Sequence, residues 1–145
     1  DLVLCHGVLG LVEDPAAAIF RYADGLIGEV SRSGALAAAD SSIEIYGTQG
    51  TILLGGVDIA SRPTRESDFL RVFRREGSGG SWVSSPTVPH FKTGIFHEHV
   101  AWAFVKALNE GGAMPVTLED GRRAFAMIDA AYRSTRSGSA EPIRA

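Results

Sequence analysis

The period of the apolar residues changes once along this chain, and that change limits the folds open to it. As far as residue 76 the sequence consists of short apolar and β-branched runs cut by glycine, aspartate and proline. From Gly94 onward, apolar residues recur at helical spacing instead. Residues 2–12 (LVLCHGVLGLV) read as a strand that Glu13-Asp14-Pro15 interrupts. AAAIFRYA then meets LIGEVSRS across Asp24-Gly25, a strong hairpin signal because a type I′ turn needs positive φ at both central residues. That turn predicts Tyr22 opposite Ile27 and Ile19 opposite Val30. A second hairpin is expected where SIEIY and TILLG flank Gly47-Thr48-Gln49-Gly50, and a third strand pair over 57–62 and 68–75. The Gly-, Ser- and Pro-rich stretch 76–89 reads as a loop anchored by Trp82.

In the second half, Phe96, Val100, Ala103, Phe104, Ala107 and Leu108 form the apolar stripe of an amphipathic helix that Gly111-Gly112 ends. Thr117 caps a second helix, with Glu119 and Asp120 at the positive end of its dipole and Asp120 at the capping-box position. Phe125, Ile128, Ala131 and Tyr132 mark the side expected to be buried, and Gly138 the end. Strands first and helices after, rather than strictly alternating, define an α+β class. The expected architecture is one domain over 1–145. It has an open, largely antiparallel sheet of about six strands, with helices near 94–110 and 117–137 on one face. Both faces of the first hairpin carry apolar residues, so the uncovered face predicts an interface. The expectation is a homodimer joined through that face, with 16–22, 26–30 and 69–73 in the contact. Its rival is a monomer whose second face the 76–89 loop shields.

Composition narrows the function. Fourteen basic against 17 acidic residues give a net charge of −3, with no basic excess for a nucleic-acid partner. A lone cysteine, Cys5, excludes an internal disulfide and a cysteine-built zinc site. No apolar run approaches the ~20 residues of a membrane span. The expected setting is cytoplasmic, without a membrane partner, and the missing initiator Met reads as the mark of a fragment.

His97-Glu98-His99, with His90 upstream, is the only cluster resembling metal or acid–base chemistry. Residues two apart on a helix point about 200° from each other, so His97 and His99 do not face one ion, and the zincin spacing is absent. No metal is expected. Cys5 lies on a strand as a small apolar residue, no G-x-S-x-G elbow occurs, and Gly47–Gly50 leads into a strand rather than a phosphate-binding helix. No G-x-G-x-x-G appears, so no Rossmann dinucleotide site is encoded.

Three stretches in order resemble the C-terminal domain of the Gfo/Idh/MocA family of oxidoreductases. They are VEDPAAA (12–18) running into FRYADGLIG (20–28), IEIYGTQGTI (43–52), and Phe96 through FVKAL (104–108) and PVTLEDG (115–121) to AAYRS (130–134) and Gly138. The resemblance implies an antiparallel sheet with helices on one face. It also implies subunit association through the other face, and a preceding Rossmann domain that binds NAD or NADP. The family's catalytic lysine lies in a Glu-Lys-Pro motif absent here, and its Asp–His pair is spaced by four, whereas Asp1 and His6 are five apart. No catalytic residue is therefore assigned, and no cofactor is expected to bind this chain alone. His97 occupies the position where the family often places a substrate-facing Tyr or His, seven residues before Phe104, and His90 and Lys92 precede it. These three are the candidate substrate contacts. The implied function is the substrate-facing and oligomerisation part of an NAD(P)-dependent oxidoreductase of sugars, polyols or related hydroxy compounds, inactive in isolation. The alternative is a stand-alone, non-catalytic binding module. A strand–GxGxxG–helix unit encoded upstream of Asp1 supports the first, and a start codon there the second.

Overall fold

The computed structural model describes residues 2–9, 16–33 and 41–144. Strands β1 (Leu2–Leu9), β2 (Ala16–Tyr22), β3 (Ile27–Arg32), β4 (Ile43–Gly47), β5 (Gly50–Leu54), β6 (Leu70–Glu76) and β7 (Gly79–Ser84) precede helices α1 (Ile95–Glu110) and α2 (Leu118–Ser137) and a short β8 (Glu141–Pro142). The chain is α+β with antiparallel pairing throughout these strands, as expected. Instead of one sheet of about six strands there are two of four, ordered β3-β2-β1-β8 and β4-β5-β6-β7. Two compact units result, residues 1–38 with 116–145, and residues 39–115. The Glu13-Asp14-Pro15 break lies outside the described residues.

In the first unit the β2–β3 hairpin has a different register from the one the Asp24-Gly25 signal predicts. Arg21 pairs with Ile27, Ile19 with Glu29 and Ala18 with Val30. The loop has three residues. Tyr22 N–H donates to the Leu26 carbonyl at 2.9 Å, Gly25 N–H donates to the Tyr22 carbonyl at 3.1 Å, and Gly25 alone takes positive φ, 89°. A bulged loop of this kind asks left-handed geometry of one glycine, whereas a type I′ turn would ask it of Asp24 as well. Asp24 instead accepts a hydrogen bond from Leu26 N–H at 3.0 Å.

Helix α2 packs on β1 and β8 of this sheet. Phe20, Ala130 and Ala131 form the core, flanked by Ala18, Tyr22, Met127 and Ile143. The buried side of α2 is Ala126, Ala130, Ala131 and Ser134, while Phe125 and Ile128 are exposed, a correction to the expected stripe in which only Ala131 was right among the buried positions. Small side chains at 126, 130 and 134 let the helix backbone approach the strands closely, and Phe125 and Ile128 turn outward. Arg133 locks β8 onto the helix, bonding Asp129 (2.9 Å), Glu141 (2.8 Å) and the Pro142 carbonyl (2.7 Å).

In the second unit, Gly47–Gly50 closes the expected β4–β5 hairpin. Residues 57–62 form no strand; Val57 makes one isolated bridge to Pro63. The stretch expected as a loop contains β7, which pairs with β6 and places Trp82 opposite Phe73. Glycine makes that pairing possible: a Cβ at Gly80 would lie 2.3 Å from the Phe73 ring and 2.4 Å from the Arg74 carbonyl. Trp82 packs on Phe73 at 5.4 Å between ring centroids, and Arg71 sits 4.7 Å above the indole. By strand alternation Trp82 shares a face with Phe73 and Arg71, and the other face carries Ile43, Ile45, Ile52, Leu54, Leu70, Val72 and Val83. Because β7 extends the sheet edge, the 76–89 stretch does not cover that aliphatic face.

Candidate functional site

The three sequence candidates lie on one segment of the second unit, between the end of β7 and the first turn of α1. Three hydrogen bonds and a row of rings hold that segment. Val88 N–H donates to the Glu66 carbonyl (3.0 Å), Gly94 N–H to the Ala60 carbonyl (3.0 Å), and Ile95 N–H to the Lys92 carbonyl (3.0 Å). Phe91 stacks between Phe69, at 6.2 Å, and Phe96, at 5.4 Å, which bolts the loop to the residue before β6 and to the helix. Rings in tilted contact at such separations add roughly 0.5–1.5 kcal/mol each beyond the area they bury.

Val88 is buried and Phe91 half-buried, whereas the candidate ligands are exposed. His90 and Lys92 are exposed on either side of half-buried Phe91, and His97 is exposed in the first turn of α1. Gly94, at φ 81°, is the N-cap and offers no side chain to the first-turn amides. The positive end of the helix dipole is therefore left to the solvent side, beside His97. Lys92 is engaged: its Nζ lies 2.6 Å from Glu98 Oε2. The Lys92 ammonium holds the Glu98 carboxyl below its ordinary range, with a smaller contribution from His99. Sequence reasoning missed Glu98 as the partner of Lys92, because a separation of six residues across a loop–helix junction matches no helical spacing.

Below this segment, residues 58–62 form a tight turn. Asp58 accepts hydrogen bonds from Ala60 N–H (2.9 Å) and Arg62 N–H (2.8 Å) and pairs with the Arg62 guanidinium at 2.7 Å. Those bonds, the Arg62 backbone amide first, hold the Asp58 carboxyl below its ordinary range. Among the described residues no three His, Cys, Asp or Glu side chains gather in a way that could hold a metal ion. The Gly47–Gly50 turn joins two antiparallel strands instead of opening a helix, and no strand–glycine loop–helix unit occurs among the described residues.

The chain matches a protein family described as the oxidoreductase family, C-terminal alpha/beta domain, of the Gfo/Idh/MocA group, over residues 6–144. It belongs to that family. Among solved structures, levoglucosan dehydrogenase in complex with NADH and levoglucosan superposes with a TM-score of 0.76 at 20% identity, covering 100% of this chain and 46% of that one. An oxidoreductase from Agrobacterium radiobacter in complex with NAD+, L-tartaric acid and magnesium gives 0.66 at 22% identity, covering 99% and 44%. The WlbA dehydrogenase from Bordetella pertussis, in complex with NADH and UDP-GlcNAcA, gives 0.66 at 19% identity, covering 99% and 40%. At these identities the likeness is one of fold. This Gfo/Idh/MocA chain spans a little under half the length of such structures. Among curated proteins, none matches it. No helix of the described residues is long and apolar enough to cross a membrane.

Proposed function

We propose that this chain is the substrate-facing and subunit-joining part of an NAD(P)-dependent oxidoreductase of sugars, polyols or related hydroxy compounds. A separate Rossmann domain supplies the nicotinamide cofactor in this reading, and the whole enzyme works in the cytoplasm. The observation that carries it is the family match over residues 6–144, joined to a fold that recurs as part of longer NAD(H)-bound enzymes. The cofactor, when bound by its own domain, supplies hydride transfer; residues of this chain bind and orient. His97 donates or accepts a hydrogen bond at a substrate hydroxyl, and His90 and Lys92 flank it. Glu98 fixes the Lys92 ammonium at one edge of the segment. In the enzyme encoded by the full reading frame, His97→Ala raises KM for the preferred polyol about tenfold or more, the loss of one or two hydrogen bonds, with a smaller fall in kcat. Unchanged KM across a panel of sugars and polyols would remove His97 from the substrate site.

The subunit-joining role rests on exposed aliphatic area. Ile43, Ile45, Ile52, Leu70 and Val83 share one uncovered face of the second sheet, and Ile19 and Ile27 lie on the face of the first sheet opposite α2. Apolar area removed from water contributes about 25 cal/mol per Å², and a standard interface of about 800 Å² per partner sustains a stable twofold pair. Light scattering at micromolar concentration is expected to give twice the 15.4 kDa of one chain. A mass of one chain would leave the enzyme reading standing and end the dimer.

A further inference from the structure

Phe91 sits in the middle of the segment that carries the candidate contacts, and its ring joins two elements. His90 and Lys92 are exposed on either side of it, while Phe91 itself is half-buried. The ring packs on Phe69 at 6.2 Å between centroids and on Phe96 at 5.4 Å, tilted by 56° in both contacts. Phe69 is fixed in turn: its carbonyl accepts Gly55 N–H at 3.0 Å, and Leu70, the first residue of β6, follows it. Phe96 belongs to the first turn of α1 and directly precedes His97. The bonds from Val88 N–H to Glu66 and from Gly94 N–H to Ala60 hold the ends of the segment. The Phe91 ring ties its middle. Lys92 reaches the helix through its carbonyl, which accepts Ile95 N–H, and through Glu98 at 2.6 Å. Those two links run from loop to helix, whereas the Phe91–Phe69 contact runs from loop to the start of β6. A rigid ring packed against two partners leaves the backbone that carries it little room to shift.

We infer that Phe91 is a positioning residue: its ring, clamped between Phe69 and Phe96, fixes the loop-borne His90 and Lys92 relative to the helix-borne His97. The inference rests on the reading that these three side chains bind a hydroxylated substrate, and Phe91 acts through them without touching it. Contacts carried on two elements orient one ligand only while the elements keep their spacing, and a displacement of about 1 Å can cost about a hundredfold in rate.

The test uses the enzyme encoded by the full reading frame. Phe91→Leu keeps an apolar side chain and loses the ring. It is expected to raise KM for the preferred polyol about fivefold with kcat within about twofold of the parent, and Phe91→Tyr, which keeps the ring, to recover most of that loss. Combined with His97→Ala, Phe91→Leu is expected to raise KM by clearly less than the product of the two single factors, because part of its effect passes through His97. The full product would overturn the inference, and so would an unchanged KM in Phe91→Leu beside a raised KM in His97→Ala. Hydrogen exchange over residues 90–97 without substrate supplies the second readout. It is expected to quicken about fivefold in Phe91→Leu and to stay near the parent rate in Phe91→Tyr. Unchanged exchange in Phe91→Leu would overturn the inference whatever the substrate. Faster exchange with KM unchanged in both Phe91→Leu and His97→Ala would instead overturn the substrate reading and leave the ring clamp supported.

Discussion

The two helices of this chain look alike in sequence and are held in opposite ways. Helix α2 closes its own N-terminus: Thr117 Oγ1 accepts from Asp120 N–H at 3.1 Å, and the Asp120 carboxylate accepts from Thr117 N–H at 2.9 Å. It buries a row of small residues, with Ala130 wholly inaccessible. Helix α1 starts at a glycine with no capping side chain and buries only Ala107. Its Trp102 is 65% exposed, and Val100, Phe104 and Leu108 are exposed too. What fixes α1 joins its first turn to the segment before it, through the Phe69–Phe91–Phe96 row and the Lys92–Glu98 pair. The difference separates a helix held in a core from one that begins at the candidate segment. α2 is part of a core, and α1 presents a first turn and an apolar surface.

The largest effect expected from that contrast is in the aromatic residues. Phe20→Ala removes the main side chain beneath α2 and is expected to cost about 3 kcal/mol or more, as large-to-small changes in cores do. Phe104→Ala, on the exposed side of α1, is expected to cost less than about 1 kcal/mol in the same urea titration. Equal losses would erase the distinction between the helices. Next in size are the caps. Thr117→Ala opens the capping box and is expected to remove about 1 kcal/mol together with helical signal at 222 nm. Gly94→Ala is expected to cost a similar amount for a different reason, since an alanine is strained at φ 81° while open space surrounds its Cβ. Gly94→Asn, which tolerates that backbone better, is expected to recover part of the loss, whereas asparagine at 117 would act through its side chain.

The contrast also marks what the sequence could convey. Features written in a few neighbouring residues were legible: both helix spans, the Thr117–Asp120 box, the glycines that end the helices, the β4–β5 hairpin and the antiparallel class. Features that depend on distant partners were not. The stripe of α2 was expected at Phe125 and Ile128 because large apolar residues dominate a periodicity count, yet close packing on strands selects Ala126, Ala130 and Ser134. Strand β7 was hidden because Gly79 and Gly80 read as breakers, although here glycine is what the Phe73 ring requires beside it. The register of the first hairpin turned on whether one or two residues take positive φ, a choice that Asp-Gly leaves open. At the candidate site, His90, His97 and Glu98 stood out as a cluster of titratable residues, and substrate contact for His90, Lys92 and His97 was an expectation from a family resemblance alone. The Lys92–Glu98 pairing carried no local signal, because it crosses the loop–helix junction.

The smallest effect is electrostatic and sharpens the same contrast at the two helix starts. The guanidinium groups of Arg122 and then Arg123 hold the Glu119 carboxyl at about 2, against an ordinary value of 4.5, and Thr117 holds Asp120 below its usual range. A carboxyl whose value is lower in the folded state favours folding above its unfolded value. That contribution is lost as the pH falls from about 4.5 towards 2. All these groups are at the surface, where salt screens them, so the effect is a slope rather than a transition. Glu119→Gln is expected to flatten the fall in melting temperature between pH 5 and pH 2, and 0.5 M salt to shrink the difference between variant and parent. Glu98→Gln removes the corresponding pair at α1 and is expected to flatten that slope less, because only one cation, Lys92, bonds that carboxylate. If the Glu98 variant flattened the slope as much as the Glu119 variant, the forked Arg122–Glu119–Arg123 arrangement would add nothing beyond a single pair. The stronger electrostatic closure of α2 would then be wrong.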